Sequence, residues 1–295
     1  MEVLGSEWRK GRVLVADGAW GTEFFKRGLM QGNPPDEWNV SHPQIVKEIT
    51  AEYLEAGAEV ILTNTFGASR LRLDLHGLAD KARQINLAGA RLAREVVGGR
   101  ALVAGDIGPS GKMLVLGEVQ PEELFDAFAE QAAALREGGV DWIVVESMTD
   151  AEEMALAVRA ARIHAGCPIV ASMTYNRTPK GYRTMMGNTS AQCVEKAEAE
   201  GASVIGANCG SGIEDYVPLA PVLRALTHLP VWVKANAGVP QILGGKVVYP
   251  LTASQFASFI PALIKAGVDA VGGCCGTDPA FIREVKKIVT QTGGE

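Results

Sequence analysis

What this 295-residue chain lacks narrows its function first. It has no basic block: 28 Lys and Arg stand against 34 Asp and Glu, a formal net charge of −6, which argues against a nucleic-acid or anionic-membrane surface. It has no apolar run long enough to span a bilayer, and Met1–Lys10 carries no charged segment leading into an apolar one. It has no low-complexity tract, and 47% hydrophobic with 21% charged residues is globular composition. The expectation is a cytoplasmic protein whose partners are small molecules or other proteins, with no nucleic acid and no membrane. Cysteine is scarce, five in all and oddly spaced. That excludes a disulfide framework, and in a reducing compartment clustered cysteines more often mean metal or catalysis. The four histidines lie on predicted helices or loops, so none is expected as a ligand. No G-x-G-x-x-G follows the first strand pattern, which argues against a doubly wound nucleotide-binding sheet.

What is present is an alternation of β-rich apolar runs and helical patterns. The runs are Val13–Asp17, Val60–Asn64, Ala101–Asp106, Trp142–Glu146, Ile169–Thr174, Val204–Cys209, Val231–Asn236 and the stretch ending Ala270-Val271-Gly272-Gly273. Helices are predicted from Ser41-His42-Pro43 to Gly57, and over 79–97, 121–136, 151–164 and 190–200, with a helical stretch after each remaining run. Eight β-then-α units predict an α/β fold, a (β/α)8 TIM barrel, formed by residues 1–295 as one domain. A faint repeat supports the count: Gly57, Gly139, Gly201 and Gly267 each end a helix just before a strand, where a left-handed cap is needed.

In such a barrel the polar residues at strand C-termini meet at one mouth. Here they are Asp17, Asn64, Asp106, Glu146, Thr174, Cys209, Asn236, Cys274 and Cys275. Cys274 and Cys275 are adjacent, and neighbouring residues on a strand face opposite ways. One metal could hold both only at a sharp turn, which Gly272, Gly273 and Gly276 would permit. With Cys209 they make three thiolates, a set suited to Zn2+ with a fourth position left for substrate. Packing as small hydrophobes, or a strained Cys274–Cys275 disulfide, stays open on spacing alone. Cys167 and Cys193 read as structural. An all-thiolate zinc is a weak activator of water but would ionise a thiol and keep it nucleophilic, so alkyl transfer to a thiol is expected. Asp17 and Glu146 could hold a substrate ammonium, and amides around Gly18-Ala19-Trp20 a carboxylate.

These segments carry a resemblance. Asp17–Glu23, Thr63–Ala68, Gly105–Gly111, Asn208-Cys209, Asn236-Ala237-Gly238 and Gly272–Thr277 resemble the homocysteine S-methyltransferase family, most of all the homocysteine-binding module of cobalamin-dependent methionine synthase. The resemblance implies one Zn2+ held by Cys209, Cys274 and Cys275 as the catalytic set, homocysteine sulfur as fourth ligand, and methionine as product. It implies a substrate pocket of Asp17, Gly18, Ala19, Asn64, Glu146 and Asn236, the last able to fill the metal's open position before substrate arrives. Two departures stand out. Lys234-Ala235 precede Asn236 where that branch usually has proline, and strand alternation turns Lys234 toward the barrel interior, where a cation would alter which thiol fits. No folate, cobalamin or activation domain follows Glu295, so the expected donor is methylcobalamin on a separate corrinoid protein, with S-methylmethionine, betaine or another small methyl compound as alternatives. Another thiol acceptor, or a non-catalytic thiol or zinc sensor, are the rival readings.

Overall fold

The computed structural model describes residues 12–244 and 246–292, so the reading of Met1–Lys10 lies outside the described residues. Eight parallel strands form the sheet: β1 (Leu14–Val15), β2 (Val60–Leu62), β3 (Leu102–Ile107), β4 (Trp142–Met148), β5 (Ile169–Met173), β6 (Val204–Gly212), β7 (Val231–Asn236) and β8 (Ala270–Gly273). Their order is β1-β8-β7-β6-β5-β4-β3-β2. A parallel bridge between Ala16 and Val60 joins the two ends, and the Asp17 amide donates to Val60 O at 3.1 Å. The result is the (β/α)8 barrel that the unit count predicts.

Helices α1 (Pro43–Glu55), α2 (Ala82–Val97), α3 (Pro121–Glu137), α4 (Ala151–His164), α5 (Ser190–Glu200), α6 (Ile213–Leu226), α7 (Ile260–Lys265) and α8 (Pro279–Thr292) surround it. Each turns an apolar stripe inward. In α2 the buried positions Ala82, Ile85, Asn86, Gly89, Ala90, Ala93 and Val97 follow three- and four-residue spacing. The glycines that cap α1, α3, α5 and α7 all have φ between 87 and 100°, the left-handed conformation that turns the chain back into the next strand. Among the described residues no helix is long and apolar enough to cross a membrane.

The structure adds elements the periodicity does not announce. Antiparallel hairpins, Asn176–Thr178 with Gly181–Arg183 and Gln241–Leu243 with Lys246–Val248, follow β5 and β7, and the seventh helical stretch is split by the short helix Ala253–Ala257. A helix at Trp20–Lys26 also follows β1 directly.

The barrel interior explains where the site lies. Leu14, Ala16, Val60, Leu62, Ala104, Trp142, Val144, Val170, Val204, Trp232 and Ala270 pack together as a separate buried cluster. Continuing five of the strands by two residues toward their C-terminal ends replaces apolar with polar: Leu62 by Asn64, Ala104 by Asp106, Val144 by Glu146, Val170 by Ser172, Trp232 by Lys234. Period-two alternation therefore stacks a polar layer on an apolar plug.

Candidate metal centre and substrate cavity

Cys209 sits near the end of β6, where the pairing with β7 is interrupted between Asn208 and Gly212. Its backbone is left-handed, φ 62°, which is uncommon for a residue with a side chain. The Tyr216 hydroxyl donates to Cys209 O at 2.7 Å and pins the bend. Cys274 and Cys275 follow β8 directly. The Cys274 amide donates to Ala235 O at 2.7 Å, the Ala237 amide to Cys275 O at 3.0 Å, and the Thr277 amide to Cys274 O at 3.1 Å.

The expected sharp turn lies at Gly276 (φ 82°), packed under Tyr249. Gly272 and Gly273 do not form it. They stay in the strand, and crowding explains them: a Cβ on Gly273 would fall 2.2 Å from Thr277 Oγ1, and one on Gly272 2.9 Å from Ala16 Cβ.

The three Sγ atoms all lie within 4.8 Å of one another. Three ligands around a tetrahedral zinc stand about 3.8 Å apart, given Zn–S bonds of about 2.3 Å, so the span accommodates one ion with small adjustment. Without a metal the sulfurs share a thiolate. Hydrogen bonds from Cys209, then Cys274, with Tyr249 adding a third, hold Cys275 down to about 3. Cys209 receives a bond from Cys274 but donates to Cys275 and is buried, so it is pushed up to about 11. Donation to Cys209 raises Cys274 well above the usual thiol range. Three convergent cysteine sulfurs are a soft donor set that fits zinc. Cys193 is buried in the core and Cys167 packs at its edge.

The sulfurs border a cavity of about 1220 Å³. Gly18, Ala19, Trp20, Gly21 and Thr22 line it, as do Asn64, Asp106, Glu146 and Lys234. Apolar side chains guard its mouth: Phe25, Phe66, Leu75 and Val247 line the cavity and are 40–62% exposed.

The polar groups divide into engaged and free. Asp17 is fully buried and does not line the cavity. Its Oδ1 meets Lys234 Nζ at 2.8 Å, and its Oδ2 accepts from the Trp20 indole at 2.9 Å and the Leu62 amide at 2.8 Å. Lys234 thus points inward, as its shared face with Asn236 predicts. Burial would lower it, but Asp17 and then Glu146 and Asp106 hold it protonated and raised.

Asn64 Nδ2 bonds Pro35 O at 2.8 Å and Asn39 Oδ1 at 3.0 Å, bracing the loop beside the mouth. The Ala19 amide is taken by Thr277 Oγ1 at 3.1 Å. Glu146, in contrast, keeps a buried Oε2 without a partner; burial pushes its carboxyl up to about 7, Lys234 opposing while Asp17 and Cys209 add to it. Asn236 donates to Gly210 O at 3.0 Å, lines no part of the cavity, and has a buried Oδ1 without a partner.

Asn208 and Ser147 escape a strand-end reading. Asn208 Oδ1 accepts from the Ser147 amide (2.8 Å) and Ser172 Oγ (2.7 Å), and its Nδ2 donates to Ser147 Oγ at 2.7 Å. This single amide ties β4, β5 and β6 together directly between Glu146 and Cys209. Ser147 is itself left-handed, φ 59°. The available signal was a buried amide closing the apolar run Val204–Ala207.

A family model for homocysteine S-methyltransferase matches residues 14–289. The chain is 33% identical to methionine synthase of Mycobacterium tuberculosis over 299 residues, 94% of this chain and 25% of that protein. It is also 33% identical to methionine synthase of Mycobacterium leprae over 301 residues, 95% of this chain and 24% of that protein. The chain thus spans about a quarter of the length of these relatives. Among solved structures, the metallated homocysteine methyltransferase MmuM from Escherichia coli superimposes with a TM-score of 0.81 at 23% identity, covering 96% of this chain and 99% of that one, a likeness of fold. A barrel closed around a three-sulfur cluster, matched from its first strand into its last helix, makes the chain a member of the homocysteine S-methyltransferase family.

Proposed function

We propose that this chain is a zinc-dependent methyltransferase that binds one Zn2+ through Cys209, Cys274 and Cys275 and methylates homocysteine to methionine. The observation that carries the reading is the convergence of the three Sγ atoms within 4.8 Å beside a cavity of about 1220 Å³, wide enough for an amino-acid thiol and part of a donor. Zinc held there would acidify an entering thiol and keep its sulfur nucleophilic.

The chain's own residues do the rest. Tyr249 donates to Cys275 and steadies the cluster's negative charge. Asn236 donates to Gly210 O, and its buried, unpartnered Oδ1 would be the chain's own oxygen ligand for a bound zinc before substrate arrives. Glu146, with its unpartnered oxygen, receives the amino end of homocysteine, while the turn from Gly18 to Gly21 borders its carboxylate end. Asp17 acts at one remove, by holding Lys234 and the Trp20 indole in place. The apolar rim excludes water from the sulfur during transfer. The sulfur forms a bond to the methyl carbon, and the donor leaves with the electron pair of its broken bond.

For the donor, the likeness to methionine synthases and the wide apolar mouth support methylcobalamin carried by a corrinoid protein. Metal analysis, followed by a homocysteine methyl-transfer assay with methylcobalamin, S-methylmethionine and betaine, tests the reading. One zinc per chain is expected, with transfer lost on chelation or in Cys275→Ser while the fold persists. Full activity in metal-free protein refutes it.

A further inference from the structure

Of the buried carboxylates at or beside the cavity, Asp36 accepts from the Gly67 amide at 2.9 Å and Asp17 is engaged behind the wall, which leaves Asp106 and Glu146 to recognise a ligand. Lys234 neutralises Asp17, whose oxygens also serve the Trp20 indole and the Leu62 amide. Asp106 differs. It is 5% exposed, it lines the cavity, and its Oδ1 has no hydrogen-bond partner. Its backbone is fixed, the amide donating to Thr63 Oγ1 at 3.0 Å and the carbonyl accepting from Thr65 Oγ1 at 2.7 Å, but the carboxylate braces nothing. Glu146 presents a second buried, unpartnered oxygen to the same space. Burial and the proximity of Glu146 raise Asp106 well above the carboxylate range, with Lys234 opposing, as befits two neighbouring buried acids neither of which bonds the lysine directly. Leaving such acceptors unpaired is costly, and a ligand ammonium with three N–H donors relieves both.

We propose that Asp106 is an ammonium-binding residue paired with Glu146, and that Lys234 makes this assignment by withdrawing Asp17 from the substrate. The specificity that follows is for thiols bearing a primary ammonium. This rests on the amino-acid thiol reading above.

The test is calorimetric binding to the zinc-loaded chain of homocysteine, 3-mercaptopropylamine, which keeps the ammonium but lacks the carboxylate, and 4-mercaptobutyrate, which lacks the ammonium. Wild type should prefer homocysteine over 4-mercaptobutyrate. Asp106→Asn should weaken homocysteine and 3-mercaptopropylamine about tenfold or more while leaving 4-mercaptobutyrate nearly unchanged. Asp106→Ser, with the same outcome, covers the case in which the Asn variant misfolds. The Asp17→Asn/Lys234→Met double variant should keep the ammonium preference. Preference retained in both Asp106 variants, or lost in the double variant alone, overturns the assignment. Absence of homocysteine binding by wild type overturns the function itself, so the two failures are told apart.

Discussion

Lys234→Met isolates the one fully buried ion pair among the described residues. Nζ and Asp17 Oδ1 are 2.8 Å apart, with side chains 3% and 0% exposed. Methionine retains most of the stem volume, so the change removes the cation and leaves the packing. Asp17 would then be an ionised carboxylate without its counter-charge, although the Trp20 indole and Leu62 amide still donate to it. Removing one partner of a buried pair costs about 3–5 kcal/mol. The two remaining donors place this case near the lower end, about 3 kcal/mol. At ~2 to 4 °C per kcal/mol for a chain longer than 150 residues, the melting temperature falls by about 6–12 °C. Circular-dichroism melts and urea titrations of Lys234→Met, Asp17→Asn and the double variant form a cycle that extracts the pair's coupling. Neutralising both partners should recover most of the loss. A single variant melting within about 2 °C of wild type, or a double variant no more stable than the single one, refutes the reasoning.

Gly273→Ala should lower zinc affinity and cost about 1–3 kcal/mol, because the added methyl meets Thr277, whose Oγ1 donates to Cys274 O and accepts from the Ala19 amide. Zinc titration with a competing chelator reads the first effect and urea denaturation the second. Glu146 gives a pH signature. Its carboxyl is pushed up to about 7 in the fold from 4.5, so between those values the native state binds more protons than the unfolded chain and stability falls as pH rises. The loss approaches on the order of 3 kcal/mol above pH 7, and a Glu146→Gln variant should flatten that slope in melts from pH 4.5 to 8.

The barrel was legible because each unit states itself locally. Runs such as Trp142–Glu146 and Ile169–Thr174 are short, β-branched and bounded by capped helices, and α4 and α5 occupy the residues expected from their periodicity. The meeting of Cys209 with Cys274 and Cys275 was legible for the same reason, since strand ends converge in any such barrel. What stayed hidden depends on pairing across the mouth. Nothing local says that Asp17 is consumed by a lysine 217 positions away, that Asn208 binds Ser147, or that Ala19's amide belongs to Thr277. The turn after β8 was misassigned in part because glycine has two uses, positive φ at Gly276 and absence of a side chain at Gly272 and Gly273, and sequence does not separate them. The hairpin ending at Val248 carried no strong strand pattern, yet it delivers Val247 and Tyr249 to the cavity.

The apolar plug beneath the polar layer has a consequence for timing. Trp142 and Trp232 fill the barrel with their neighbours, so nothing traverses it along the axis, and both reactants of the proposed transfer must use the same doorway. The acceptor's place is the inner one, next to sulfur, and a corrinoid-sized donor seated on Phe25 and Phe66 would close the way behind it. If the proposed transfer operates with such a donor, turnover would be ordered: thiol enters first, donor arrives second, and the thioether departs only after the spent donor has withdrawn.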